Sequence, residues 1–328
     1  MSSFRGDQER PEASRDGAMT PETPTCRSAP ARLLGLLLAL GPVPAAAQVP
    51  LVLPGPPEGP APDRCRPIAP GGGGATPVTL YQSFHDEFDD FDLYGGLWTP
   101  HFDHNGYRDW RARTLEANGE AQLYVDPRYA GSGARPLGLD PFSAGDGVLG
   151  LVARPTPAPA GPYLHGFRYV SGMLSSRDSF VQRLGYFEIR ARLPAGAGLW
   201  PAFWLLSPGA WPPEIDVMEA RGTPGYRVTV HWEESGAHVS SGCEIPLADA
   251  SEAFHSYGVL WSTRALVFYL DGTPMAWIAA KPGFDRPMYL LANLAVGGWA
   301  GEPDARTMFP ATYEIDRIAA YLLPEAGG

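Results

Sequence analysis

Three carboxylates, Glu214, Asp216 and Glu219, fall within the stretch WPPEIDVMEARG, which runs from Trp211 to Gly222. Ile215, Val217 and Met218 among them are apolar, and Trp211, Pro212 and Pro213 precede them, which does not read as a solvated strand edge. Acids in such a setting can do nucleophilic and proton-transfer chemistry, because one carboxyl can stay ionised while another stays protonated. A strand alternates its side chains between two faces, so Glu214 and Asp216 share a face and Glu219 should point the other way. A β-bulge between Asp216 and Glu219 inserts one residue, resets the alternation and brings all three acids to one side. The two glutamates would then have backbones about four strand steps, roughly 13 Å, apart. Side chains leaning inward can close much of that gap. This is compatible with the roughly 5–5.5 Å carboxyl separation of a retaining glycosidase, against about 6.5–9.5 Å in an inverting one. Asp216, between them, would hydrogen-bond to one glutamate and help hold the two protonation states apart.

The elements around these acids read as strands. LWPAFWLL (Leu199–Leu206) puts Trp200, Ala202 and Trp204 on one face and Phe203 and Leu205 on the other. One face is core. Two tryptophans on the other are costly to expose unless something flat and partly apolar lies against them, and a pyranose ring has such a face. GYFEIRARL (Gly185–Leu193) separates Phe187, Ile189 and Ala191 from Glu188, Arg190 and Arg192. ALVFYLDG (Ala265–Gly272) ends in Asp-Gly, a hairpin signal, and TYEIDRIAAYLL (Thr312–Leu323) alternates again. Many short strands with turn signals between them predict an all-β fold of two large packed sheets.

The 36 Pro among the 328 residues crowd towards the front, and four of the 39 Gly run together at 71–74. Residues 49–77, VPLVLPGPPEGPAPDRCRPIAPGGGGATP, show no alternation and few side chains able to build a core. Residues 48–78 therefore read as a disordered Pro/Gly-rich tether ahead of a folded domain at 79–328. Before it, ARLLGLLLALGPVPAAAQ has the basic, apolar and small-residue order of a secretory signal peptide over residues 1–47, cleaved after Ala47, with Met19 as the expected start. This implies a secreted or periplasmic protein with no membrane span after cleavage. Residues 1–47 hold five Arg and five acids, so the remainder has 20 basic and 31 acidic residues, still −11. With Lys281 its single lysine, such a chain is no candidate for nucleic acid. Cys26 would leave with the signal. Cys65 and Cys243 remain, either as a disulfide pinning the tether to the domain or as two unrelated thiols.

EIDVME resembles the E-x-D-x-x-E signature of glycoside hydrolase family 16, the laminarinases, lichenases and related endo-glycanases. The resemblance extends over residues 185–222, over FHSYGVLWSTRALVFYLDG from Phe254, over MYLLANLAVGGWAGEPD from Met288 and over YEIDRIAAY from Tyr313. FHDEFDDFDLYGGLWTP from Phe84 and LEANGEAQLYVDP from Leu115 look like the family's opening. It implies a concanavalin-like β-jelly-roll sandwich of two antiparallel sheets, with a concave substrate cleft, acting as a monomer on a polysaccharide. Carried over by position, Glu214 is the nucleophile, Glu219 the general acid/base and Asp216 the residue assisting the nucleophile. His231 matches a family histidine near the acid/base, Asn118 a glycone-side asparagine, and Arg190 a cleft arginine. Trp200, Trp204 and Trp299 are the stacking candidates, and Asn293 is expected to be structural. No cofactor is required. A structural calcium is implied for some members, with Glu87 and Asp316 in the corresponding stretches, although two acids alone do not make a calcium cage.

The stretches from Tyr124 and from Tyr169 look more like the exopolysaccharide-processing branch, the succinoglycan-type 1,3-1,4-β-glycanases, than like the laminarinases. Two other readings keep the same fold. A carbohydrate-binding module would have no use for paired acids, and a transglycosylase would differ only in its acceptor-side loops. A purely structural surface protein would suit the tether but leave the acids unexplained.

Overall fold

The structure, a computed structural model, describes residues 50–102, 106–209, 211–222 and 224–324. The expected signal peptide, Met19 and Cys26 lie outside them. The first strands are β1 (Leu51–Gly55), β2 (Arg66–Pro67), β3 (Gly74–Asp86), β4 (Gln122–Tyr124), β5 (Phe142–Gly145) and β6 (Val148–Pro155). Next come β7 (Tyr169–Ser171), β8 (Met173–Ser175), β9 (Gly185–Arg192), β10 (Leu199–Leu206), β11 (Glu214–Glu219) and β12 (Tyr226–Glu234). The last are β13 (Ala237–Ile245), β14 (His255–Trp261), β15 (Ala265–Leu270), β16 (Thr273–Ala279), β17 (Tyr289–Val296) and β18 (Ala311–Leu322). The helical segments described are short 3₁₀ turns, and none is long and apolar enough to cross a membrane.

The strands form two sheets, as the alternating segments predict. The smaller runs β13-β12-β11-β10-β17-β8, and the larger has twelve strands with β9 and β18 at its middle. The strand pairings are antiparallel except for a short parallel one between β4 and β7. Between the sheets lies the main core. Phe203 and Leu205 of β10, Ile215 and Val217 of β11 and Val228 and Val230 of β12 meet Phe187 and Ile189 of β9 and Ile315 and Ile318 of β18. The split of β9 holds: Glu188, Arg190 and Arg192 point outward and pair with Arg317, Asp316 and Glu314.

The expected tether is not one within residues 50–78. β1 pairs with β3, and β2 pairs with β16 at the edge of the larger sheet. Leu53 is buried with Leu80, Tyr269 and Trp277 in a second apolar cluster, against which Leu51, Ala61, Ile68 and Val78 also pack. A proline-rich run lacks N–H donors, but its carbonyls still accept. Tyr269 donates to Pro54, Arg264 to Pro57 and Lys281 to Asp63, all at backbone oxygens. The segment builds no core of its own because it packs onto one that already exists.

Cys65 and Cys243 form a disulfide with a Cα–Cα distance of 5.8 Å. Cys65 directly precedes β2, at one edge of the larger sheet, and Cys243 lies on β13, at one edge of the smaller. The bridge therefore ties the two sheets along one side. The Cys65 amide donates to Ser241 Oγ at 2.9 Å beside it.

Candidate active site

The register of β11 breaks where the extra residue was expected. Against β12, Glu214 pairs with His231, Asp216 with Thr229 and Glu219 with Arg227, so three steps on β11 cover two on β12. The same shift recurs against β10, where Trp204 faces Asp216 and Phe203 faces Met218. Val217 and Met218, consecutive in the chain, both enter the inter-sheet core. Glu214, Asp216 and Glu219 line a cleft of about 800 Å³. Glu214 and Glu219 stand opposite residues four apart on both neighbouring strands, namely Leu206 and Ala202 on β10 and His231 and Arg227 on β12.

The same cleft gathers Asn118, Trp200, Trp204, His231, Asn293 and Trp299. Trp200 and Trp204 are on its face, as the alternation requires, yet both are buried. Each spends its indole N–H: Trp200 donates to Glu219 Oε1 at 3.1 Å and Trp204 to Asn293 Oδ1 at 2.7 Å. Asn293 in turn donates to the Tyr124 hydroxyl at 2.9 Å, so it links strands β10 and β4 instead of two loops. Trp299 is 39 % exposed, stands edge-on to Trp200 at 5.6 Å and carries the Arg221 guanidinium over its ring at 4.5 Å. Gly298 permits that corner. Its φ is +57°, and a Cβ there would lie 2.4 Å from the Asn118 carbonyl oxygen, so the Asn118 and Trp299 loops touch backbone to backbone.

One placement corrects the sequence reading, and two others refine it. Arg190 is not in the cleft: it lies on β9 of the larger sheet and pairs with Asp316 at 2.9 Å. Alternation assigned it a face opposite the core, but that face points away from the acids. His231 faces the acids, nearest to Glu214 and Asp216, with Nε2 3.1 Å from Asp216 Oδ2 and 3.9 Å from Glu214 Oε1, and its charge also acts on Glu219. Asp316 is held by Arg190, and no third His, Cys, Asp or Glu completes a three-ligand group with Glu87 and Asp316 among the described residues.

Other cleft residues went unassigned from sequence. Trp211 donates its indole N–H to Glu214 Oε2 at 2.8 Å. Arg227 shares the cleft face of β12 with Thr229 and His231, a period-two signal that was there to be read. Its guanidinium crosses Gly242, where a Cβ would meet it at 2.8 Å, and reaches Glu244 at 3.2 Å. Glu120 is buried at the end of the Asn118 loop and accepts from the Leu115 amide and the Gln122 side chain.

Burial dominates the electrostatics. It pushes Glu214 up to about 8, with Asp216 adding to the rise, while His231 and the Trp211 N–H pull down. Glu219 rises to about 7 through burial and then Glu214, opposed by Trp200, His231 and Arg227. Asp216 is held well above the usual carboxylate range by burial and Glu219. All three acids are raised by burial and by one another's charge, so near neutral pH the group retains protons. A retained proton is what a general acid needs, although burial lifts Glu214 at least as far as Glu219, so the free cleft does not by itself reserve that proton for Glu219.

The family model described as Glycosyl hydrolases family 16 matches residues 148–318. The chain is 41% identical over 250 residues to the endo-1,3-1,4-beta-glycanase ExsH of Rhizobium meliloti, an alignment covering 74% of this chain and 52% of that protein. It therefore spans about half the length of that relative. It is 30% identical over 260 residues to a beta-glucanase of Rhodothermus marinus, covering 69% of this chain and 84% of the other. Among solved structures, the endo-beta-1,3-glucanase of Pyrococcus furiosus superposes with a TM-score of 0.61 at 28% identity, covering 75% of this chain and 95% of the other. The fold is thus that of the family's jelly-roll glucanases.

Proposed function

The chain belongs to glycosyl hydrolases family 16, and from that premise we propose that it is an endo-acting β-glycanase. Its substrate is a β-glucan or bacterial exopolysaccharide, cleaved at internal β-1,3 or β-1,4 linkages with retention at the anomeric carbon. One observation carries the reading: the bulge in β11 turns Glu214, Asp216 and Glu219 into a single cleft walled by tryptophans. Similarity to the Rhizobium meliloti endo-1,3-1,4-beta-glycanase supports the linkage class.

In the first step a Glu214 oxygen attacks the anomeric carbon while Glu219 gives its proton to the departing glycosidic oxygen. The carbon–oxygen bond to the leaving sugar breaks and a glycosyl ester on Glu214 forms. In the second step Glu219 takes a proton from water, the resulting hydroxide displaces Glu214, and the ester is released. Asp216, 4% exposed beside Glu214, answers the change of charge on its neighbour as the ester forms and breaks. No step calls on a cofactor. The enzyme is taken to work as a monomer. Its leader-like N-terminus and its disulfide support export to the periplasm or medium.

The test is incubation of the purified protein and its Glu214→Gln variant with lichenan, laminarin, curdlan, agarose and bacterial exopolysaccharide. New reducing ends from one polymer with the parent and none with the variant are expected, with the β-anomer as first product by proton NMR. An α-anomer would remove the nucleophile role. Binding without cleavage by both proteins would leave a carbohydrate-binding module. N-terminal sequencing of the exported protein should begin at Gln48.

A further inference from the structure

We propose that the cleft also binds one transition-metal dication of the zinc class, held by Glu214, Asp216 and His231. One carboxylate oxygen from each acid and one imidazole nitrogen all lie within 4.8 Å of one another, the sole such three-ligand group among the described residues. Zinc bonds of about 2.0–2.2 Å to nitrogen and oxygen put neighbouring ligand atoms of a tetrahedral site roughly 3.4 Å apart. The separations of His231 Nε2 from Asp216 Oδ2, 3.1 Å, and from Glu214 Oε1, 3.9 Å, straddle that edge.

Two further observations point the same way. Asp216 Oδ2 is buried and makes no hydrogen bond of good geometry, although it lies 3.1 Å from the His231 ring nitrogen. A buried carboxylate oxygen left so is costly, and a cation offsets that cost. On the other side of the ring, His231 Nδ1 is 2.8 Å from His238 Nε2, an acceptor that would take the Nδ1 proton and leave the Nε2 lone pair facing the acids. The two imidazoles lie parallel, 1° apart in plane, which fixes the direction in which Nε2 points. One imidazole and two carboxylates suit zinc, nickel or copper. Calcium and magnesium ask for more oxygen ligands than the group offers.

His255 supplies a built-in comparison. It too has two aspartates, Asp249 at 3.3 Å and Asp271 at 2.8 Å, but it spends a different ring nitrogen on each. Ligands that face opposite edges of a ring share no common point for an ion. In the Glu214 group the ligands converge, and the ion occupies the carboxylate on which the proposed hydrolysis depends. The consequence is reversible inhibition of the proposed hydrolysis.

The binding measurement uses no polysaccharide and stands apart from the hydrolase reading. Chelator-treated full-length protein is titrated with zinc chloride by calorimetry at about pH 7.5, where the ligands can lose their protons to the metal. One ion per chain is expected, with no competition from calcium chloride. His231→Gln and Asp216→Asn, each checked for folding by its thermal melt, should weaken binding at least about tenfold. His255→Gln should leave it unchanged. No binding by the parent overturns the proposal, as does binding that survives in either cleft variant or disappears in His255→Gln.

Discussion

Trp211 and Glu214 are joined by a 2.8 Å hydrogen bond from the indole N–H to a carboxylate oxygen, three residues apart in sequence. The bond favours the ionised carboxylate, the form that attacks. Trp211→Phe keeps a ring in place and removes the donor. A hydrogen bond to a charged group contributes about 1.5–3 kcal/mol, so kcat/KM should fall roughly tenfold to a hundredfold. Losing the bond raises the carboxyl's pKa, so the acidic limb of the pH–rate profile should move to higher pH. A lower rate with an unmoved limb would mean that Trp211 acts by shape alone.

The acids that serve chemistry should cost stability at alkaline pH. Glu214 is raised from 4.5 to about 8 in the fold, so the folded chain binds more protons than the unfolded one across that interval. Stability therefore declines as pH rises from about 4.5 towards about 8, the reverse of an ion-paired carboxylate. Glu214→Gln carries no charge at any pH. It should raise the melting temperature above pH 8 and change it little near pH 4.5, as read by calorimetric scans at the two pH values. Equal effects at both would contradict the assignment.

The disulfide gives a third expectation. Its two cysteines are 178 residues apart. Losing such a link costs about 2–4 kcal/mol, or roughly 5–15 °C in melting temperature for a domain of this size. Cys65→Ser should show that drop yet keep its activity well below the melt, because neither cysteine lines the cleft. Loss of activity at low temperature would mean that the bridge also shapes the cleft.

Gly298→Ala tests the backbone contact between the two cleft loops. The new Cβ has no room against the Asn118 carbonyl and sits at a positive φ that alanine disfavours. The Asn118 and Trp299 loops must part. KM should rise several-fold while kcat changes less, because the acids on β11 are untouched. A proportionate fall in kcat at constant KM would argue against it.

What was legible in the sequence was whatever a strand's own period records. The bulge could be read because acids among Ile, Val and Met make sense only on one face, and β9 and β10 divide as their alternation says. Arg190 was placed in the cleft by resemblance, and alternation could not check it, because it gives a side of a strand and not the sheet to which the strand belongs. The proline-rich segment failed for a related reason. Composition shows that it cannot build a core, but not that Leu53 and Ile68 have a surface waiting on β15 and β16. The pairing of Cys65 with Cys243 had no local signal, since it depends on two sheet edges meeting.

That bridge also makes a covalent ring. Everything from β3 to β12, with Glu214, Asp216 and Glu219, lies between the two cysteines. One protease cut in an exposed loop of that ring, such as the stretch between Tyr129 and Asp140, releases no fragment. A nicked chain keeps both halves of its sheets on one continuous molecule and migrates as a single species until the disulfide is reduced.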